Sequence, residues 1–209
     1  TSQLVYTENA LPVSLDGSAV LADDSTNFAG GILTAEFSAN GQPEDRLGVR
    51  HQGNASGQIG VSGRDVTFQG KAIGSLTGGE NFTPLSVTFN NNATPLIAQA
   101  LLRNLTFSNA SDNPVRVART VRISISDGSD GVGLAKSRTI NVRPVNDLPV
   151  LTLPGGPAGY TENDPPTIID DEATVTDVDS ADFNLGRLTV DISLNGSADD
   201  RLGIRAGGQ

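Results

Sequence analysis

YTENALPVSLDGSAVLADDSTNFAGGILTAEFSANGQPEDRLGVR, residues 6–50, returns as YTENDPPTIIDDEATVTDVDSADFNLGRLTVDISLNGSADDRLGIR at residues 160–205. Roughly half of the aligned positions are identical, with a single one-residue gap between Asp23 and Asp24. A period of about 154 residues marks a tandem array, and the unit of the array is the unit of folding. Residues 1–143 hold nearly one full repeat, 144–149 form a linker, and 150–209 hold the N-terminal part of a second repeat. If one repeat is one sandwich, the second copy lacks about half of its strands and exposes an apolar face and unpaired edges. Either the segment is bounded artificially, or strands from another chain complete it.

Working outward from the repeat, short alternating runs predict strands at ILTAEFS (32–38), SVTF (86–89), LTFS (105–108), TVRISIS (120–126) and RTINVR (138–143). VSGRDVTF (61–68) predicts a hairpin around Gly63, and SDGSDGVG (126–133) a Gly/Asp turn between the last two strands. One segment departs from this pattern. ATPLIAQALLRN (93–104) offers Thr94 as N-cap, Pro95 at the first helical position, and Leu96, Ile97, Ala100 and Leu101 on one face. It predicts a short helix at about 94–103, packed on the sandwich by that face. The fold class is therefore all-β with one short helix inserted in the repeat.

Composition excludes several functions. Against 24 Asp and Glu stand 14 Lys and Arg, a formal net charge of −10. Such a chain repels nucleic acid and anionic membranes, which demand clustered Lys and Arg, and its natural counterions are divalent cations. Cysteine is absent, so there is no disulfide frame, thiolate metal site or Cys nucleophile. Methionine is absent too, even at position 1, and the chain reads as an internal piece of a longer polypeptide. No apolar run approaches the ~18 residues of a membrane span, so no membrane insertion is expected. The single histidine, His51, is matched by Ala206 in the second copy, and no serine sits in a nucleophile-elbow context. An enzyme is not expected.

Two features of the repeat admit two readings. In TDVDSADF (176–183), the carboxylates of Asp177, Asp179 and Asp182 suit a cation site or a polar turn at a strand end. EDRLGVR (44–50) and DDRLGIR (199–205) read as an acidic turn feeding a strand whose edge the arginine covers, or as a surface ion-pair patch. Sequons at Asn54, Asn81, Asn92, Asn104, Asn109 and Asn195 would matter only in a glycosylating host.

The order YTEN (6–9), ADDS (22–25), ISDG (125–128) and PVNDLP (144–149), followed by a second YTEN (160–163) and TDVDS (176–180), resembles the cadherin-type repeat. That repeat opens with Glu-Asn, carries Asp-x-Asp after its second strand and an Asp near its last hairpin, and closes with an Asn-Asp linker. The segment ALLRNLTFSNASDNPVRVARTVRISISDG (100–128) is similar to the long cadherin-like repeats of large bacterial surface adhesins, related in pattern to chondroitin-sulfate-proteoglycan-type repeats. The resemblance implies Greek-key β-sandwich repeats in tandem, with Ca²⁺ at their junction. Its ligands would be Glu8, Asn146, Asp147, Asp177 and Asp179. Asp23, Asp24 and Asp127 would form an incomplete site toward a preceding repeat. Two departures stand out: Pro144 replaces the linker Asp expected two positions before the Asn, and Asp-x-Asp is contracted to Asp23-Asp24. The implied protein is a non-enzymatic extracellular structural or adhesion module of a cell surface or secreted matrix. Its expected partners are neighbouring repeats of the same polypeptide, homotypic chains, or surface glycans and matrix. The alternatives are a filament or sheath subunit completed by a neighbour's strands, and a carbohydrate-binding module.

Overall fold

The computed structural model describes residues 3–129 and 133–205 and divides the chain into two compact units, Thr1–Asp147 and Leu148–Gln209. The division falls inside the 144–149 stretch.

In the first unit the strands are β1 (Leu4–Thr7), β2 (Val13–Ser14), β3 (Ile32–Ala39), β4 (Asp45–Val49), β5 (Ile59–Ser62), β6 (Asp65–Phe68), β7 (Lys71–Thr77), β8 (Leu85–Phe89), β9 (Leu105–Asn109), β10 (Arg119–Ile125) and β11 (Lys136–Arg143). The helix α1 spans Pro95–Leu102. Eight strands form one sheet in the order β1-β11-β10-β3-β8-β7-β6-β5, and β2-β9-β4 form another. The sheets meet as a β-sandwich. Alternation decides which residues face inward: Leu33 and Ala35 on β3, Val87 and Phe89 on β8, and Ile140 and Val142 on β11 are buried, with exposed or half-buried residues between them. Phe107 on β9 bridges the sheets, its ring edge-on to Tyr6 of β1 and Phe37 of β3 with centroids 5.3 and 6.1 Å away.

The sheet's free edge at β5 is covered by the backbone of Gln52 and the side chains of His51 and Gln52. Gln52 N–H donates to Ile59 O (2.7 Å), Ile59 N–H to Gln52 Oε1 (3.0 Å), and Val61 N–H to His51 Nδ1 (2.9 Å). Such cover denies the edge to another strand, which gives exposed His51 a structural task.

The hairpin at Gly63 forms as expected, with φ +58° at the glycine. The turn expected at 126–133 joins β10 to β11, and residues 130–132 lie outside the described residues. Thr94 caps α1, its Oγ1 accepting from Ile97 N–H (3.4 Å), with Pro95 opening the helix. Of the expected face, Leu101 is buried and Ile97 and Ala100 pack against the core, with Ala98 buried beside them, whereas Leu96 is 69% exposed. The helix turns its small Ala98 to the sandwich, and Leu96, about 160° around the helix axis from Ala98, is carried into solvent. Thr94→Ala is expected to cost about 1 kcal/mol, read as a small fall in the urea midpoint with an unchanged slope.

Among its described residues the second unit has only β12 (Val150–Thr152) paired with β13 (Thr174–Thr176). Its large apolar residues are exposed, among them Tyr160, Leu188 and Val190.

Candidate functional site

Antiparallel pairing puts the acidic residues of the first unit at opposite ends of the large sheet. β11 enters beside the C-terminal end of β10 and leaves beside its start. Glu8 therefore lies where β11 exits, and Asp127 where β10 ends against the beginning of β3.

At the exit, Glu8 N–H donates to Arg143 O (3.0 Å), which extends the parallel β1–β11 ladder by one bond. Tyr6, two residues earlier, is buried and donates from its hydroxyl to Ala10 O (3.2 Å) and Asn109 O (3.1 Å). Asn9 turns the chain at φ +58°, a conformation that asparagine tolerates better than other residues with a Cβ. The Glu8 side chain is thereby held inward, only 5% exposed. Its Oε2 accepts from Val145 N–H (2.7 Å), so the carboxylate grips the start of the linker. Its Oε1 is buried with no hydrogen-bond partner. A buried carboxylate oxygen without a donor is costly and calls for a cation or a solvent donor. Asn146 and Asp147 follow directly, with Asn146 Nδ2 donating to Asp147 O. Glu8, Asn146 and Asp147 thus gather at one end of the first unit.

At the opposite end, Asp23, Asp24 and Asp127 line a partly open cavity of about 330 Å³, together with Leu21, Phe28 and Ser126. Asp23 Oδ1 accepts from Ser25 N–H (2.8 Å), and Ser25 Oγ donates to Asp127 Oδ2 (2.8 Å). Asp127 Oδ1 accepts from Ser129 N–H (2.9 Å). The Ser129 amide and then the Ser25 hydroxyl hold the Asp127 carboxyl below its ordinary pKa. Gly31 allows this approach: a Cβ there would stand 2.2 Å from Ser126 O and 2.9 Å from the Asp127 carbonyl carbon. Any side chain would push Asp127 away from Ser25.

In the second unit, Asp177 Oδ1 accepts from Ser180 N–H (2.9 Å) and Asp179 N–H (3.3 Å). This is the Asp23–Ser25 turn repeated. Desolvation raises the Asp177 pKa, but the bonds from Ser180 and Asp179 outweigh it and the net shift is downward. Asp182 Oδ1 accepts from Asn184 N–H (3.0 Å), as Asn27 does from Ala29 N–H in the first copy. Asp182 therefore serves its turn. Among the described residues, no group of three or more His, Cys, Asp or Glu side chains is arranged to hold a metal ion. Nor is any helix among them long and apolar enough to cross a membrane.

Comparison of the chain with protein-family models, with curated proteins and with solved structures finds no match.

Sequence reasoning missed the most buried charges among the described residues. Asp45, expected on a surface acidic turn, is sealed in the core, where Arg119 Nε donates to its Oδ2 (3.0 Å). Asn109 Nδ2 donates to Oδ1 (2.6 Å) and Gln42 N–H to Oδ2 (2.8 Å). Arg46 does not reach out over the strand edge; its Nη1 folds back on Pro43 O and Asp45 O. The one available signal was the recurrence of Asp45 as Asp200, which marks a constrained acid without saying where it lies. The sequons at Asn104 and Asn109 are buried and engaged, Asn104 with Arg50 and Asn109 with Asp45.

Proposed function

We propose that the protein is a non-enzymatic extracellular structural or adhesion module, a cadherin-like tandem repeat of a surface or matrix protein in which Ca²⁺ sets the stiffness of the joint between repeats. The observation that carries this reading is Glu8: buried, clamped to the linker through Oε2, and left with an unpartnered Oε1. Ca²⁺ takes six to eight oxygens with loose geometry, and carboxylates, an amide and carbonyls provide them. Glu8, Asn146 and Asp147 would supply the first repeat's share, and Asp177 and Asp179 the second's. Bringing these carboxylates together without a cation would be repulsive, so the ion stiffens the joint by cancelling that repulsion. Asp23, Asp24 and Asp127 would be one repeat's share of a similar joint on the other side. The hydrogen bonds that lower the Asp127 and Asp177 pKa values keep both carboxylates charged, and available to a cation, to lower pH than an ordinary Asp.

For an affinity in the range of extracellular Ca²⁺ modules, about 10⁻⁴ M, a few millimolar Ca²⁺ stabilises the bound state by about 2 kcal/mol. The melting midpoint should rise by several degrees on going from excess chelator to Ca²⁺. Glu8→Gln keeps an acceptor for Val145 and removes the buried charge. It is expected to melt no lower than the parent in chelator and to lose the Ca²⁺ response. Equal midpoints for the parent chain in Ca²⁺ and in chelator would overturn the proposal.

A further inference from the structure

Every strand of the first half-repeat takes its ladder partners from the second half. β1 lies on β11, β2 and β4 both lie on β9, and β3 lies between β8 and β10. No two of β1, β2, β3 and β4 pair with each other. The matching segments of the second copy, 158–161, 167–168, 187–194 and 200–204, accordingly form no strand. Their local turns form all the same: Tyr160 donates to Asp164 O as Tyr6 does to Ala10 O, and Asn195 takes φ +57° as Asn40 takes +56°. The apolar positions are kept as well. Leu33, Ala35 and Leu47 are core residues, and their counterparts Leu188, Val190 and Leu202 are exposed.

One charge identifies what fits this face. Asp200 sits in the Asp45 turn, accepting from Ser197 N–H (2.7 Å) where Asp45 accepts from Gln42 N–H. Arg201 folds back on Ala198 O and Asp200 O as Arg46 does on Pro43 O and Asp45 O. Asp45 is closed over by Arg119 and Asn109, both from the second half of the repeat, whereas Asp200 is exposed. We propose that residues 160–205 are the acceptor half of a sandwich, and that their occupant is a polypeptide segment of the kind formed by residues 85–143. It brings strands equivalent to β8, β9, β10 and β11, and an arginine that closes on Asp200. A second copy of residues 1–209 does not supply it, because the one such segment that those residues hold is already used by the first unit. The inference is independent of Ca²⁺.

The test extends residues 1–209 at the C-terminal end with a second copy of residues 55–143 and is run in chelator, so that it cannot fail for want of a cation. Three readouts are taken: binding of a hydrophobic dye, amide exchange over residues 187–205, and the effect of Asp200→Asn. Extension is expected to cut dye fluorescence severalfold and slow exchange over 187–205 at least about tenfold. Asp200→Asn should speed that exchange in the extended chain and leave it unchanged in the 209-residue chain. Replacing the appended arginine at the Arg119 position by methionine should act in the same direction. Undiminished dye binding and exchange in an extended chain whose first unit melts normally would overturn the proposal. So would an Asp200→Asn effect of equal size in both chains. A 209-residue chain that is dimeric in solution with amides 187–205 already protected would also overturn it, because copies would then be covering each other.

Discussion

Arg119→Met is expected to lower the melting midpoint of the first unit by on the order of 10 °C, from a loss of about 3–5 kcal/mol. Arg119 and Asp45 are both fully buried, and the guanidinium has a second task. Its Nη1 donates to Val115 O and Val117 O, tying down the turn that leads into β10. Methionine fills a similar volume but leaves Asp45 charged in a dry site, with only Asn109 Nδ2 and the Gln42 amide to solvate it. The loss is therefore mostly the cost of an unpaired buried charge rather than the net worth of the pair. That distinction can be measured. Asp45→Asn in the Arg119→Met background removes the stranded charge, so the double variant should melt above Arg119→Met alone, with a coupling of about 0.5–3 kcal/mol. Among the described residues the buried core lies entirely in the first unit, so thermal or urea unfolding followed by circular dichroism reads this change directly. A single variant within a degree or two of the parent, or strictly additive effects, would show that the buried pair does not hold the sandwich together.

The same pair shows where legibility in the sequence ends. Features encoded by residues within a few positions of one another were readable. Thr94 and Pro95 announce α1, Gly63 announces its hairpin, and the Asp23 and Asp177 turns both form although the ladder of β1–β4 is made in one copy alone. The two copies act as a control, because matching sequence yields matching turns while the long-range ladder is present in one and absent in the other. Whatever depends on distant partners was not readable. Asp45 meets Arg119 across 74 residues, and a local acidic turn looks the same whether or not β9 and β10 close over it. Leu96 was misplaced for a related reason: helical periodicity gives the apolar stripe, but the sheet decides which flank of the stripe is covered. At the candidate site, the order of motifs placed Glu8 beside the linker. The orphaned Oε1 that makes Glu8 informative depends on how the folded chain buries that carboxylate, and no residue pattern encodes it.

Phe107→Ala should produce a loss of similar size by a different route, and its comparison with Phe107→Leu tests the sandwich itself. Phe107 is fully buried at the centre of β9, flanked across the ladder by Val13 of β2 and Leu47 of β4. Its ring meets Tyr6 at 88° and Phe37 at 80°, so one side chain couples the small sheet to two strands of the large one. Truncation to alanine removes the transfer energy of the ring and leaves a cavity between two sheets whose internal ladders limit collapse, at about 3–5 kcal/mol. Each edge-to-face contact adds about 0.5–1.5 kcal/mol to what is lost. Leucine refills most of the volume and forfeits mainly the ring geometry, so Phe107→Leu should cost less than half as much. Amide exchange localises the effect. In Phe107→Ala the amides of β2, β4 and β9 should exchange faster than those of the β5–β6–β7 meander, which belongs to the other sheet. Equal acceleration in both regions would mean that the sandwich opens as one unit, and indistinguishable Leu and Ala variants would mean that Phe107 contributes neither cavity filling nor ring contacts to the union of the sheets.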